Sequence, residues 1–531
     1  MTKSIVLSGA TVYDGTGAPG RRLDLLLTGD RIAAVAPPGQ FAGMTRSART
    51  VDVTGLSIAP GFIDVHSHSD SSPLIDMDDT SKILQGVTTE VNGNCGFGLA
   101  PINPVFDEDF ATLAQRIFPP LSFDWHSIEE FHERAAASGF ITNFAFLAGH
   151  NTLRVAAMGS EERAPNASEM TVMKDQLYRA LEAGAAGLTT GLIYPPGVFS
   201  TTEEITALAS IMPATAVYAS HMRNESSRVR KSIDETVQVA SGAGVRCHIS
   251  HLKVAGRHLW GQMGELIDAL DDYRDEGLAI THDVYPYTAS STMLTAVVPP
   301  WAHDGGGPAL LQRLASPAER NRMKADIEDP VSGFDSHVRA TGWEHIVIAS
   351  TGSHQYEGLS LAALGAKKDQ HPFDAVAELL IDEELKATMI IHGIGEDDVQ
   401  TALRSQHTTI GSDGLPVGTG GKPHPRGYGT FGRILDVYVR REQLMSLPEA
   451  IRRMTSLAAD IFSLPGRGRI EAGNYADLVV FDPDNVVDYA TFEDPMRSPA
   501  GIHSVWVAGE EIVRDGTYLG RRNGSLLRAQ H

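Results

Sequence analysis

GFIDVHSHSD, residues 61–70, decides the fold. Phe62, Ile63 and Val65 read as a buried strand, with His66 and His68 following at i and i+2. In extended chain those two side chains point the same way. Two imidazoles aimed at one spot at the end of a buried strand suggest a metal. A pair of surface histidines after a turn is the alternative, so the rest of the chain has to supply the other ligands.

Working outward, short apolar runs alternate with helical stretches. The runs are 62–66, 87–91, 141–147, 186–190, 215–220, 245–250, 279–285 and 408–412; helix-like pieces include 168–183, 231–242 and 262–276. Buried strands alternating with helices mean a parallel sheet. Eight such strands predict an α/β fold, a (β/α)8 TIM-like barrel over 60–465 with function at the C-terminal strand ends. Two further runs, IVIAS (346–350) and MIIHG (389–393), exceed that count. The interval 286–407 is too long for one βα unit, which predicts an insertion over the barrel mouth, assigned to 288–345. Both chain ends are rich in strand and turn signals, with VAGEEIVRDG reading as a tight hairpin. Residues 1–59 and 466–531 are therefore expected to form one small β-sandwich.

The chain has 531 residues, 42% apolar and 21% charged, and 44 Lys+Arg against 66 Asp+Glu give a net charge of −22. That balance argues against nucleic acid or an anionic membrane as partner, since both need clustered positive charge. No apolar run is long enough to span a bilayer, and MTKSIVLSGATVYDG has no signal-peptide core, so a cytoplasmic location is expected. Two cysteines, Cys95 and Cys247, make no disulfide framework.

The polar residues fall on the strand ends. His66 and His68 follow the first run, Cys95 the second (VTTEVNGNCG), His221 ends the fifth (AVYASH), His251 the sixth (VRCHISH) and Asp413 the eighth (TTIGSD). Imidazole, thiolate and carboxylate form the zinc ligand set. His248 and His251, three apart, are expected to face opposite sides, with His251 inward and His248 structural. Cys247 reads as a buried hydrophobe, and His392, in an extra run, as a packed or surface histidine.

PGFIDVHSH together with GRIEAGNYADLVVFD resembles the amidohydrolase superfamily across nearly the whole chain. Within it, GNCG, TTGLIYPPG, SHMRNE, ISHLK, DVYPYTASST, GSDG and PHPRGYGTFGR are similar, in order and spacing, to the N-acyl-D-amino-acid deacylases (D-aminoacylases). The resemblance implies a tightly held Zn²⁺ on Cys95, His221 and His251 and a weaker second site at His66, His68 and Asp413. It also implies that Lys253, Arg426, Tyr194 and a tyrosine of YPY, Tyr285 or Tyr287, bind the substrate carboxylate. Arg is a bidentate carboxylate fork and Lys a point charge, which fits. The segment GLPVGTGGKPHPR is glycine-rich and longer than that pattern.

The implied reaction is hydrolysis of the amide of a small-molecule N-acyl-D-amino acid, Asp413 taking a proton from the attacking water and returning it to the leaving nitrogen. VYPYTASSTMLTAVVPPW (284–301) has no Lys or Arg, and Met293, Leu294, Val297 and Val298 offer an apolar wall for the substrate side chain; Arg313, Arg320 or Arg322 could bring a cation from the insertion. Two other readings stand beside this one: a cyclic amide hydrolase of the hydantoinase or dihydroorotase kind, and a catalytically silent barrel serving as scaffold or sensor. The sequence leaves oligomeric state and physiological substrate open.

Overall fold

The computed structural model describes residues 4–44, 48–329, 334–416 and 420–531. All eight expected barrel strands form: Phe62–Asp64, Val87–Asn92, Asn143–Phe146 continued by Ala148–Gly149, Gly187–Gly191, Val217–His221, Arg246–Ile249, Ile280–Val284 and Thr408–Ile410. They pair in parallel, one to the next, around the ring. Just past the strands a parallel bridge from Ser67 to Gly414 closes the ring between the first and the eighth, and Asp413 donates its backbone N–H to the His66 carbonyl at 2.7 Å. Alternation sets what faces inward. Val217 and Ala219 fill the barrel interior with Ile63, Val65 and Phe462, while Tyr218 faces the outer helices with Leu188 and Ile249. His221 has the parity of Val217 and Ala219, so it faces the interior at the mouth.

The two surplus runs belong to another layer. Ser290–Met293, Thr388–Ile391 and Ile346–Ser350 make a three-stranded antiparallel sheet, packed with helices Gly306–Ala315 and Pro372–Asp382 around a separate apolar core. The insertion therefore does not stop at residue 345. It runs to Ile391, because two of its three strands lie beyond that point.

Strands from both chain ends hydrogen-bond into one nine-stranded sheet, joined where Ser57–Pro60 pairs antiparallel with Leu478–Phe481. The sheet curls on one core holding Ile5, Leu25, Leu478, Val480 and Trp506, and a bridge from Arg31 to Tyr475 ties its far edge back. The predicted hairpin is present: Ile502–Val507 and Glu510–Arg514 turn through Ala508 (φ 46°) and Gly509 (φ 75°), the positive pair that a two-residue hairpin needs. The last residues leave this sheet. Its final strand is Thr517–Tyr518, whereas Gly524 and Leu526 bridge to Phe140 and Phe144 of the barrel. Leu527 is pulled in with the barrel's interior residues, so the C-terminal end of 466–531 packs on the barrel.

The alternation of Leu478–Phe481 fixes the sheet on the barrel. Val479 and Phe481 point away from Leu478 and Val480, into a second core with Phe62, Val87, Ile410 and Phe431. The Phe481 ring meets Phe62 edge-on at 6.3 Å, and Phe62 stacks on Phe431 at 5.8 Å. We expect Phe481→Ala to destabilise the chain by about 3–5 kcal/mol, the usual range for an emptied aromatic core position, read as a lower urea midpoint. A loss under about 1 kcal/mol would show that the sheet does not brace the barrel.

Candidate metal centre

The six expected ligand side chains converge at the C-terminal mouth of the barrel, all buried. Each lies on a strand's last residue or a few residues past it, where the chain turns. Cys95, His251 and Asp413 take left-handed backbone conformations, with φ of 55°, 37° and 48°. Such conformations cost energy in non-glycine residues and cluster where surrounding structure enforces them. Around Cys95 the flanking glycines make the turn possible. Gly93 (φ +77°) passes so close to strand three that a Cβ would lie 2.2 Å from the Leu147 carbonyl, and Gly96 (φ +78°) continues the turn.

Two ligand groups result, and Cys95 belongs to both. One is Cys95, His221 and His251; the other is His66, His68, Cys95 and Asp413. The Sγ lies 3.5 Å from His251 Nε2 and 3.2 Å from His66 Nε2. His251 Nε2 is 2.8 Å from His221 Nδ1, and Asp413 Oδ1 is 3.2 Å from His68 Nε2 and 3.5 Å from His66 Nε2. Ligand atoms around a tetrahedral zinc sit about 3.3–3.6 Å apart, given bonds of about 2.0–2.3 Å. The donor set fits zinc, and the Cys95 and Asp413 separations of 3.2–3.5 Å match that spacing, whereas the 2.8 Å between His251 and His221 is shorter than it.

Electrostatics favour the ligand forms. Burial raises the Cys95 thiol pKa, but the His66 and His251 imidazoles outweigh it and hold the thiol well below its ordinary value. Burial acts on Asp413 likewise, and Arg426, His66 and His68 reverse it, holding the carboxyl well below the usual range. Arg426 Nη1 stands 2.8 Å from Asp413 Oδ2, and Lys253 Nζ 2.6 Å from Glu225 Oε1. Both cations expected to meet a substrate carboxylate thus already face a buried protein carboxylate. Arg426, despite the lengthened loop before it, starts the helix Arg426–Arg433 and is fully buried; Val417, Gly418 and Thr419 of that loop lie outside the described residues.

Tyr285 faces the site. Its ring lies 4.6 Å from the Arg426 guanidinium and 5.6 Å from Lys253 Nζ, and its buried hydroxyl has no partner among the described residues. Tyr287 does not face it. The Tyr287 N–H donates to the Tyr285 carbonyl at 2.9 Å, a γ-turn-like closure across Pro286 that turns the second ring away, onto His424 and Phe492 and under Arg433. Tyr194 packs edge-on to His221 at 4.8 Å, its hydroxyl 2.8 Å from Thr292 Oγ1 of the insertion. His248 faces inward as well, contrary to the expectation that only one of the pair could. Cys247 and Ile249 point outward, so parity sends His248 in, one layer below the ligands, where its Nε2 is 2.9 Å from Asp283 Oδ2. His251 also points in because the strand ends at Ile249 and the chain then turns. Cys247 is a buried filler, its thiol pushed up to about 12 by burial.

Two carboxylates at the centre escaped the sequence reading. Asp283 Oδ2 is 3.3 Å from His66 Nδ1, and its Oδ1 accepts the His251 N–H at 2.9 Å. Glu225 lies 3.1 Å from His251 Nδ1. The signals were present, an acid at the end of strand seven and the acid closing SHMRNE. Beside the centre opens a cavity of about 440 Å³, lined among others by Tyr194, Met293, Val298, Trp301, Asp335 and His337. Of the four expected wall residues, Met293 and Val298 line it. Leu294 and Val297 turn into the insertion's own core, on the short helix Leu294–Val297.

Comparison with known proteins matches this architecture. The model of the amidohydrolase family fits residues 49–513. A D-aminoacylase of Alcaligenes xylosoxydans xylosoxydans is 37% identical over 98% of this chain and 97% of its own length. An N-acyl-D-glutamate deacylase of the same organism is 34% identical over 99% and 96%. The crystal structure of N-acyl-D-glutamate deacylase from Bordetella bronchiseptica, complexed with zinc and a phosphonate mimic of the tetrahedral intermediate, superposes with a TM-score of 0.82 at 32% identity, covering 100% of both chains. With its ligand-bearing strand ends and near full-length likeness to these enzymes, the chain belongs to the amidohydrolase family, in its D-aminoacylase branch.

Proposed function

We propose that this protein hydrolyses the amide bond of N-acyl-D-amino acids with apolar side chains, releasing a D-amino acid and a carboxylic acid. Zinc would be held tightly by Cys95, His221 and His251, with a second, weaker position at His66, His68 and Asp413. The observation that carries the reading is the position of Asp413, between the ligand histidines on one side and Arg426 on the other. When bound, zinc lowers the pKa of water toward neutrality and polarises a carbonyl. Asp413, held ionised, accepts the proton of the attacking water and returns it to the nitrogen, since an amine leaves poorly as an anion. Arg426 and Lys253 orient the free carboxylate of a linear substrate, which a cyclic amide need not present. Burial keeps the Tyr285 hydroxyl protonated, a donor for the same carboxylate. The D configuration comes from the relatives' named substrates. Both cysteines are free thiols, the state a cytoplasm maintains.

The apolar preference rests on the cavity. Ile193, Phe199, Met293, Val298 and Trp301 supply apolar wall. Its two arginines are engaged: Arg163 with Glu161 and Glu169, Arg223 with Glu235 and the Val198 and Ser200 carbonyls. Burial holds its two histidines below their ordinary pKa, His303 at about 3, which disfavours a cation at either. Arg313, Arg320 and Arg322 do not line it; Arg313 bonds the Ala302 and Asp304 carbonyls. An acidic side chain would have to draw Arg163 or Arg223 from these partners or be buried there unpaired.

Three outcomes are expected. Cys95→Ala should lose the tight zinc and all turnover; metal analysis showing full zinc with full activity would reduce Cys95 to packing. Asp413→Asn should keep the tight zinc yet lower kcat by about 100- to 10,000-fold, the usual contribution of a general acid–base group, and a loss under about threefold removes Asp413 from the proton transfer. N-acetyl-D-leucine should exceed N-acetyl-D-glutamate in kcat/KM by about 10- to 150-fold, the equivalent of roughly 1.5–3 kcal/mol of side-chain burial. A preference for the glutamate substrate, measured at one pH, would contradict the cavity assignment.

A further inference from the structure

Lys253 and His251 pose a hydrogen-bonding problem that one residue solves. His251 presents Nε2 to the ligand group, toward Cys95 Sγ and His221 Nδ1. Its other ring nitrogen, Nδ1, lies 2.8 Å from Lys253 Nζ. A histidine that ligates through Nε2 carries its proton on Nδ1 and has to donate it. A lysine ammonium has three donors and no acceptor. Two donors that close, buried at 1% and 4% exposure, cannot satisfy each other. Glu225 Oε1 is the acceptor both can use, 2.6 Å from Lys253 Nζ and 3.1 Å from His251 Nδ1. Its second oxygen faces the other imidazole of the tight group, Oε2 lying 3.7 Å from His221 Nε2, a nitrogen with no hydrogen-bond partner among the described residues.

Glu225 is itself fixed at both backbone ends. Its N–H donates to Asp335 Oδ2 of the insertion at 2.6 Å, and its carbonyl accepts from Ala255 N at 2.8 Å, two residues beyond Lys253. Its two oxygens face Lys253 and both imidazoles, the surroundings of an acceptor.

We propose that Glu225 is a positioning residue that holds Lys253 and the His251 imidazole in their working places by offering both the same carboxylate. This rests on the reading above, in which Lys253 meets the substrate carboxylate and His251 holds the tight zinc. It ties substrate recognition to metal retention: loss of one acceptor disturbs both. Such outlying carboxylates behind metal-bound histidines typically govern about 10- to 100-fold of metal affinity.

The test uses full-length protein stripped of metal and titrated with zinc against a chromophoric chelator, for wild type, Glu225→Gln, Lys253→Met and the double variant. Glu225→Gln keeps the shape but offers one neutral acceptor to two donors. Its zinc affinity should fall by about 10- to 100-fold. At saturating zinc its KM for N-acetyl-D-leucine should rise by more than its kcat falls. The double variant, with no ammonium competing for the amide oxygen, should regain zinc affinity relative to Glu225→Gln. Should Glu225→Gln not fold, Lys253→Met carries the test. It frees the carboxylate for His251 and should hold zinc at least as tightly as wild type, and weaker binding overturns the shared-acceptor role. A Glu225→Gln protein with wild-type zinc affinity and KM overturns the role of Glu225 alone, whereas a wild type that takes up no zinc overturns the reading of the site and this proposal with it.

Discussion

One atom organises this structure, the Sγ of Cys95. It lies within 3.5 Å of His66 Nε2 on one side and His251 Nε2 on the other, so both ligand groups pass through it. A thiolate shared by two groups leaves little tolerance in where the strand ends sit. The loop after strand two has to bring a side chain to the barrel axis within three residues of Asn92, which needs the Gly93 turn against the Leu147 carbonyl. Strands one and eight have to close on each other, which they do through the Asp413 N–H to His66 carbonyl bond and the Ser67–Gly414 bridge. The left-handed conformations of Cys95, His251 and Asp413 are the local cost of that convergence. The packed barrel beneath them supports it.

Charge balance is the second constraint. The chain carries a net charge of −22, yet three buried acids at the mouth face cations or imidazoles: Asp413 with Arg426, Glu225 with Lys253, Asp283 with His66 and His248. Burying a carboxylate without such a partner is strongly unfavourable. The same pairing means that a substrate carboxylate reaching Arg426 or Lys253 meets a cation already shared with the protein. Under the proposed function, recognition becomes an exchange among neighbouring carboxylates rather than capture by a free charge, and the geometry of the sharing oxygens matters as much as the cations.

Much of this was legible in the sequence. Eight buried runs alternating with helical periodicity gave the barrel, and six metal-competent side chains at successive run ends gave the cluster that converges at its mouth. What escaped has identifiable causes. Asp283 and Glu225 reach the centre behind histidines, and their marks in the sequence, the end of strand seven and the close of SHMRNE, are shared with turn and surface acids. Tyr285 and Tyr287 share strand parity, and only the closure across Pro286 separates them. Parity sets His248 against His251 only where strand continues to residue 251, and this strand ends at Ile249. The C-terminal tail reads as more of the terminal sheet, but Leu527 finds a larger apolar core in the barrel. The insertion reads as shorter than it is because IVIAS and MIIHG are as apolar as barrel strands, and only pairing shows MIIHG antiparallel to both IVIAS and Ser290–Met293.

The division between barrel and insertion has a consequence for specificity. The six metal-competent side chains come from barrel strand ends, but Tyr194, Arg426 and the cavity wall lean on the strand Ser290–Met293 and its neighbours. Tyr194 bonds Thr292, Arg426 donates to the Ser291 carbonyl, and His424 Nε2 contacts the Ala289 carbonyl. Met293, Val298 and Trp301 from the same stretch wall the cavity. The proposed function places side-chain selection there, away from every strand end that carries a metal-competent side chain. A fold that separates chemistry from recognition in this way can retain one reaction while its relatives diverge in side-chain preference, and the stretch from Ala289 to His303 is where that divergence can be written.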